Sequence, residues 1–102
     1  MQFEADEIHT FSVEDDTLDG APYVNIAVNA KDQYGNDVNF DVQVEVSGFD
    51  DLTEPCSGSN TCTETSSPIK FETGALQDSG TAEFTETNSG MTDSLEITIE
   101  RV

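Results

Sequence analysis

Apolar side chains recur at every second position along several segments, and this spacing restricts the fold of the chain more than any other feature. A period of two places alternate side chains on opposite faces of a strand, so that one face can be dry and the other hydrated. No segment carries the apolar stripe, with a period of about 3.6 residues, that an amphipathic helix needs. The spacing therefore predicts antiparallel strands. The longest alternating run comprises Val38, Phe40, Val42, Val44 and Val46.

Alternating runs over residues 24–30 and 95–100 predict two more strands. Weaker candidates cover residues 9–14, 69–73 and 81–87, with an initial strand over 3–7. Turn-forming residues around Gly35 and Gly80 separate the runs. Residues 1–102 are thus predicted to form one all-β domain, a single antiparallel β-sandwich of about six to seven strands. The other inward-facing residues expected in its core are Val24, Ile26, Val28, Phe84, Leu95, Ile97 and Ile99.

The segment over 47–68 differs from the rest because it holds few apolar residues and both cysteines of the chain. Cys56 and Cys62 enclose a short run of turn-forming residues that is long enough to close a disulfide. Closing so short a ring is worth about 2 kcal/mol and implies oxidising surroundings. We predict one long disulfide-stapled loop. A metal-binding or redox role for the two cysteines is not favoured, because no histidine lies nearby. The alternative to the disulfide is two free thiols in a reducing compartment.

The charge is one-sided, with 22 acidic against 3 basic residues and a formal net charge of −19. Such a field destabilises a compact state by self-repulsion. In molar salt the Debye length falls to about 3 Å, which screens the repulsion and leaves the carboxylates hydrated. We therefore interpret the chain as halophilic, from a haloarchaeal organism or a virus of one. The alternatives are an acidic protein of an ordinary cell, disordered at low salt, and a mimic of the DNA phosphate array.

Two stretches resemble repeats of the bacterial Ig-like family of the invasin/intimin type. Residues 28–38 read Val-Asn-Ala-Lys-Asp-Gln-Tyr-Gly-Asn-Asp-Val and precede the alternating valines, similar to the family's strand, Asp-x-x-Gly-Asn-x-Val turn and second strand. Residues 78–85 read Asp-Ser-Gly-Thr-Ala-Glu-Phe-Thr and resemble its Asp-x-x-Gly-x-Ala-x-hydrophobic hairpin, with a turn one residue shorter. The resemblance covers residues 22–101 and implies an Ig-like sandwich. The 47–68 segment and the single unit, in place of tandem repeats, depart from the family pattern.

Few residues could carry catalysis. The single histidine, His9, lies on a predicted strand among acids, and the scattered glycines form no phosphate cradle. Three cations cannot supply a basic patch for nucleic acid. We therefore expect no enzyme activity, no nucleic-acid partner and no cofactor other than a divalent cation.

Carboxylates crowd two loops in which Ca²⁺ or Mg²⁺ could find several oxygen ligands. Neither group follows the EF-hand spacing, so a solvated acidic loop is the alternative interpretation of each. The candidate ligands are Asp15, Asp16 and Asp19 in one loop, or Asp50, Asp51 and Glu54 in the other.

Three functions of different classes fit these features. The first is a structural module on the surface of a halophilic virus particle, as a capsid decoration, turret or tail component. The second, which the family resemblance favours, is an Ig-like repeat of a haloarchaeal adhesin or S-layer protein at the cell envelope. The third is an acidic decoy of a DNA-binding protein. The expected partners are other virion or surface structural proteins in a homo-oligomeric or symmetric assembly, without membrane insertion, because no apolar run approaches about 20 residues.

Overall fold

The computed structural model describes residues 8–16, 23–56 and 59–100. These residues form strands joined by turns and bends, without any helix. Accordingly, nothing in the described ranges is a helix of the length and hydropathy needed to span a bilayer. The strands are β1 (Thr10–Asp15), β2 (Val24–Lys31), β3 (Val42–Ser47), β4 (Leu52–Glu54), β5 (Thr61–Glu64), β6 (Ile69–Thr73), β7 (Gln77–Glu86) and β8 (Thr92–Glu100).

The strands build two antiparallel sheets of four strands each, which form a sandwich. Sheet A has the order β1-β2-β6-β4, and sheet B has the order β5-β3-β7-β8. The neighbours β1-β2-β6 and β3-β7-β8 correspond to strands A-B-E and C-F-G of an immunoglobulin domain. The predicted all-β, Ig-like sandwich is therefore confirmed.

Alternate side chains of the inner strands fill the space between the sheets. Phe71 of sheet A meets Phe84 of sheet B edge to face, with ring centroids 6.1 Å apart. Fully burying a side chain of this size contributes about 1.5–3 kcal/mol. Leu95 is half-buried and packs at the margin of this core. The residues that are buried as the alternation predicts are Val24, Ile26, Val28, Val42, Val44, Val46, Phe84, Ile97 and Ile99.

The strand predicted to start at Val38 starts instead at Val42. Val38 and Phe40 are half-buried and precede the strand, so their assignment to a core strand is wrong. The N–H of Val38 donates to the carbonyl oxygen of Ala30 at 3.1 Å, which keeps this stretch beside the end of β2. The chain crosses to sheet B only afterwards, and Phe40 packs against the edge of the core.

The predicted 47–68 loop contains two short strands. After β3 the chain crosses to sheet A, where β4 pairs with β6, and then returns to sheet B, where β5 pairs with β3. These two strands bring the described total to eight, above the six to seven expected. The sequence pattern missed them because β4 spans three residues and β5 four, too few for an alternation to show.

Only one of the two predicted glycine turns exists. Gly35 has a φ of 83° in the turn after β2, a conformation that favours glycine. Gly80, in contrast, lies inside β7 opposite Ile97, so the turn predicted there is wrong. A Cβ at Gly80 would collide with the carbonyl oxygen of Ser47 and with the Phe49 ring. Glycine is needed at this position because another segment approaches the backbone closely.

The remaining strand predictions overlap observed strands. The candidates over 9–14 and 69–73 match β1 and β6 to within one residue, whereas β7 and β8 begin earlier than predicted, at Gln77 and Thr92. The strand predicted over 3–7 lies outside the described residues.

Candidate functional site

A buried carboxylate, Asp78, holds the β3–β4 loop against β7. Its side chain is 4% exposed, and one oxygen accepts from the N–H groups of Asp50 at 2.8 Å and Ser79 at 3.0 Å. The other oxygen accepts from the Asp51 N–H and the Thr73 hydroxyl, both at 2.8 Å. Burial opposes ionisation, but these donors outweigh it and hold the pKa of Asp78 below its usual range.

Glu86 plays the same part at the opposite end of β7, where it is fully buried. Its oxygens accept from the N–H groups of Ser89 at 2.7 Å and Asp41 at 2.8 Å. Glu86 thereby connects the turn before β8 to the segment that precedes β3. Burial works against the charged form, yet the backbone donors of Asp41 and Ser89 lower the pKa of Glu86 overall.

Asp32 organises the turn that follows β2. Its Oδ1 accepts from the N–H of Tyr34 at 2.8 Å and from that of Asn36 at 2.9 Å. The Asn36 donor is the main reason that the pKa of Asp32 is lowered, against the opposing effect of burial. The turn around Gly35 is therefore built on an aspartate that accepts from its own loop.

The structural role of these carboxylates is hidden in the sequence by the many other acids, which together predict only a hydrated coat. A signal for two of them existed. Glu86 continues the inward alternation of Ala82 and Phe84, and the Asp32-Gln33-Tyr34-Gly35-Asn36 stretch has the composition of an Asx turn. Asp78 belongs to the same inward alternation, but residues 78–80 have the composition of a turn, which hides it.

The disulfide predicted between Cys56 and Cys62 is confirmed, with Cα atoms 5.2 Å apart. Cys56 follows β4 of sheet A, and Cys62 lies in β5 of sheet B. The bond therefore joins the segment that follows β4 to β5, an edge strand of sheet B. Cys56 is 3% exposed, and its sulfur lies 3.8 Å from the carbonyl oxygen of Val44.

The second predicted cation group takes part in other contacts, and a cation site there stays a prediction. Asp50 and Asp51 turn their backbone N–H groups to Asp78, and the Glu54 carboxylate lies 3.5 Å from the Nζ of Lys70. Among the residues that the structure describes, no group of three or more His, Cys, Asp or Glu side chains is placed to hold a metal ion.

The first predicted cation group is only partly described. Asp15 ends β1 and Asp16 follows it, whereas Asp19 lies outside the described residues. The N–H of Asp16 donates to the carbonyl oxygen of Asn25 at 2.7 Å. A cation site in this loop stays a prediction.

An open groove of about 400 Å³ runs beside the stapled segment. Val46, Phe49 and Leu52 are among its apolar lining residues, and Asp50 and Asp51 are its acids. His9 does not line it; this residue is exposed before β1, and its backbone N–H donates to the carbonyl oxygen of Lys31 at 2.7 Å.

The outward faces of the two sheets differ in charge. In the described part of the chain, both lysines lie on sheet A, and sheet B presents glutamates without a cation. The lysine face of sheet A comprises Thr10, Ser12, Glu14, Asn25, Ala27, Asn29, Lys31, Glu54, Lys70 and Glu72. The glutamate face of sheet B comprises Gln43, Glu45, Ser47, Thr61, Thr63, Gln77, Ser79, Thr81, Glu83, Thr85, Thr92, Ser94, Glu96, Thr98 and Glu100.

The two lysines already have partners within the chain. Lys31 pairs with Asp37 across the turn after β2. Lys70 lies near Glu54 of β4 and also 5.3 Å above the centroid of the Tyr23 ring. Both remain partly exposed, so each contact is a surface interaction of about 0–1 kcal/mol.

Two acids lie directly opposite each other on the glutamate face. Glu45 of β3 pairs in register with Glu83 of β7, flanked by Thr61 and Ser94 in the same row. Like charges in facing positions destabilise a sheet. This arrangement is therefore unfavourable in dilute solution and tolerable where salt screens the charges.

Comparisons with protein-family models, with curated proteins and with solved structures found no match.

Proposed function

We propose that this chain is a non-enzymatic structural module of a virus particle in concentrated salt, serving as a capsid decoration, turret or tail component. The Cys56–Cys62 disulfide carries the proposal, because such a bond persists in oxidising surroundings, outside a reducing cell interior. A particle assembled in a cell and released from it passes to such surroundings.

The glutamate face supports the high-salt setting. Glu45 and Glu83 face each other there, and the described part of this face offers them no cation. Molar salt shortens the Debye length to about 3 Å and removes most of this repulsion.

The buried acids support a structural role in place of catalysis. Asp32, Asp78 and Glu86 accept hydrogen bonds from the backbone, and their lowered pKa values keep them ionised at neutral pH. A general acid or base needs a pKa near the working pH. These carboxylates are therefore suited to holding loops.

The second candidate, a repeat of a haloarchaeal adhesin or S-layer protein, is favoured by the direction of the outer strands. β1 begins at Thr10 opposite Lys31, at the end of the sandwich where β3 starts. β8 ends at Glu100 opposite Gln77, at the other end. Domains with this arrangement can be joined end to end.

An equilibrium density gradient in molar salt distinguishes these functions. A lysed culture that produces the protein is banded, and each fraction is probed with an antibody. We expect the protein to band with virus particles.

The other outcomes overturn the proposal in different ways. Banding with cell envelopes would replace the virion module by the adhesin or S-layer repeat. Recovery only as free protein at the top of the gradient would contradict both structural functions and favour the acidic decoy.

A further inference from the structure

The lysine face is the part of the described surface that a neighbour can cover at the lowest electrostatic cost. Along its centre, the outward side chains of β2 are neutral and already half-buried between β1 and β6. Burying unpaired charge costs several kcal/mol per ion, whereas this central strip of the face carries no charge. The neutral residues are Asn25, Ala27 and Asn29.

Both signs of charge also occur on this face. Lys31 and Lys70 lie among the glutamates at positions 14, 54 and 72, and Asp37 pairs with Lys31, so two cations accompany four anions. The glutamate face carries glutamates at positions 45, 83, 96 and 100, and its described residues include no lysine or arginine.

We propose that two copies of this chain associate through their lysine faces about a two-fold axis, an inference that rests on the proposed function as an assembling module. A two-fold contact uses the same patch on both copies. On the lysine face it can place the lysines of one copy near the glutamates of the other. On the glutamate face it would place glutamate against glutamate, which is repulsive.

The size of the face sets the strength of the contact. Four short strands about 4.8 Å apart, with a rise of about 3.3 Å per residue, cover roughly 300–400 Å². A standard interface buries about 800 Å² per partner. The dimer is therefore weak and concentration-dependent, a strength that suits an assembly in which many copies reinforce one another.

Sedimentation velocity in molar KCl, over a concentration series reaching about 1 mM, tests this inference on the whole chain. Ala27→Glu places a charge at the centre of the lysine face. Thr85→Glu is its matched control, because both positions are half-buried and outward on a central strand. We expect wild type and Thr85→Glu to dimerise with dissociation constants within about twofold, and Ala27→Glu to weaken the dimer by about tenfold or more.

A wild type that stays monomeric throughout the series would overturn the inference, as would equal weakening by the two variants. If Ala27→Glu does not fold, an NMR dilution series of the wild type decides. Amide shifts concentrated on β1, β2 and β6 would support the lysine face, and shifts on β3, β7 and β8 would contradict it. A monomer that still bands with particles in the density gradient would overturn the self-association alone and leave the proposed function standing.

Discussion

At the scale of single residues, the acids of this chain divide into two kinds with different physical roles. Most of the acids that the structure describes are exposed to solvent, whereas Asp32, Asp78 and Glu86 are buried and accept backbone hydrogen bonds. A hydrogen bond to a charged group contributes about 1.5–3 kcal/mol, more than a neutral one. The second kind therefore stabilises the loops at both ends of the sandwich.

Replacing Asp78 by Asn removes the charge that gathers four donors. We expect the free energy of unfolding to fall by about 3 kcal/mol in chemical denaturation at neutral pH, because an amide offers one acceptor oxygen and turns its own N–H groups toward donors. Asp50→Asn is the matched control, since it changes an exposed carboxylate of the same loop and keeps the backbone donor. Equal losses in the two variants would contradict the role of Asp78.

The same substitution should change the pH dependence of stability. The pKa of folded Asp78 lies below its ordinary value of 3.8, so ionised Asp78 stabilises the fold fully above about pH 5. This contribution is lost as the pH falls through 3.8 toward the folded-state pKa. In denaturation experiments between pH 7 and pH 3, Asp78→Asn should therefore show a shallower loss of stability than wild type, and a parallel loss would refute this.

At the scale of elements, the β4–β5 excursion depends on the disulfide more than on strand pairing. β4 has three residues, β5 has four, and Cys56–Cys62 connects the segment after β4 to β5. Strands this short contribute little by themselves.

Replacing Cys56 and Cys62 together by Ala should loosen this excursion and leave the six longer strands in place. We expect a loss of about 2 kcal/mol in chemical denaturation. Amide exchange followed by mass spectrometry should accelerate in β4 and β5 and stay slow in β2 and β7. Wild type treated with a reductant is the control and should match the variant. Global unfolding of either would show that the bond supports the whole sandwich.

The facing acids on sheet B give a second prediction at this scale. Glu83→Gln removes one member of the Glu45–Glu83 pair and should raise the free energy of unfolding by about 0.5 kcal/mol in dilute buffer. The gain should vanish in molar KCl, where the repulsion is screened. Glu96→Gln is the control, because Glu96 faces Thr81 and should gain less. Equal gains in the two variants would mean that only net charge matters.

The elements that could be predicted are those whose alternation is long and stays within one sheet. β2 and the later part of β3 are of this kind, so Ile26 and Val44 were placed inward correctly. Val38 and Phe40 continue the alternation while the chain changes sheets, and a local pattern cannot show that change. β4 and β5 exist through pairing with distant strands, which composition does not encode.

The candidate site was less predictable than the fold, for physical reasons that apply to particular residues. Among 22 acids, the burial of Asp78 depends on a loop that folds onto it from 27 and 28 residues away. The contrast between the lysine and glutamate faces depends on strand register, which decides that Lys31 and Lys70 point outward from the same sheet. The Cys56–Cys62 bond, in contrast, is local and was predictable from spacing.

At the scale of the whole molecule, a net charge of −19 acts against the folded state in every part of the surface. The Debye length is about 10 Å at 0.1 M salt and about 3 Å at 1 M, so charges in adjacent positions remain coupled in ordinary buffer. The proposed high-salt role therefore requires that stability continue to rise at salt concentrations where long-range repulsion is already screened.

Thermal unfolding of the wild-type protein tests the proposed high-salt role. It is followed by circular dichroism across a KCl series from about 0.1 to 3 M. We expect a Tm that rises throughout the series, with the largest value in molar salt. A Tm that levels off by about 0.2 M, where the Debye length is still near 7 Å, would instead identify an ordinary acidic protein and contradict the proposed setting.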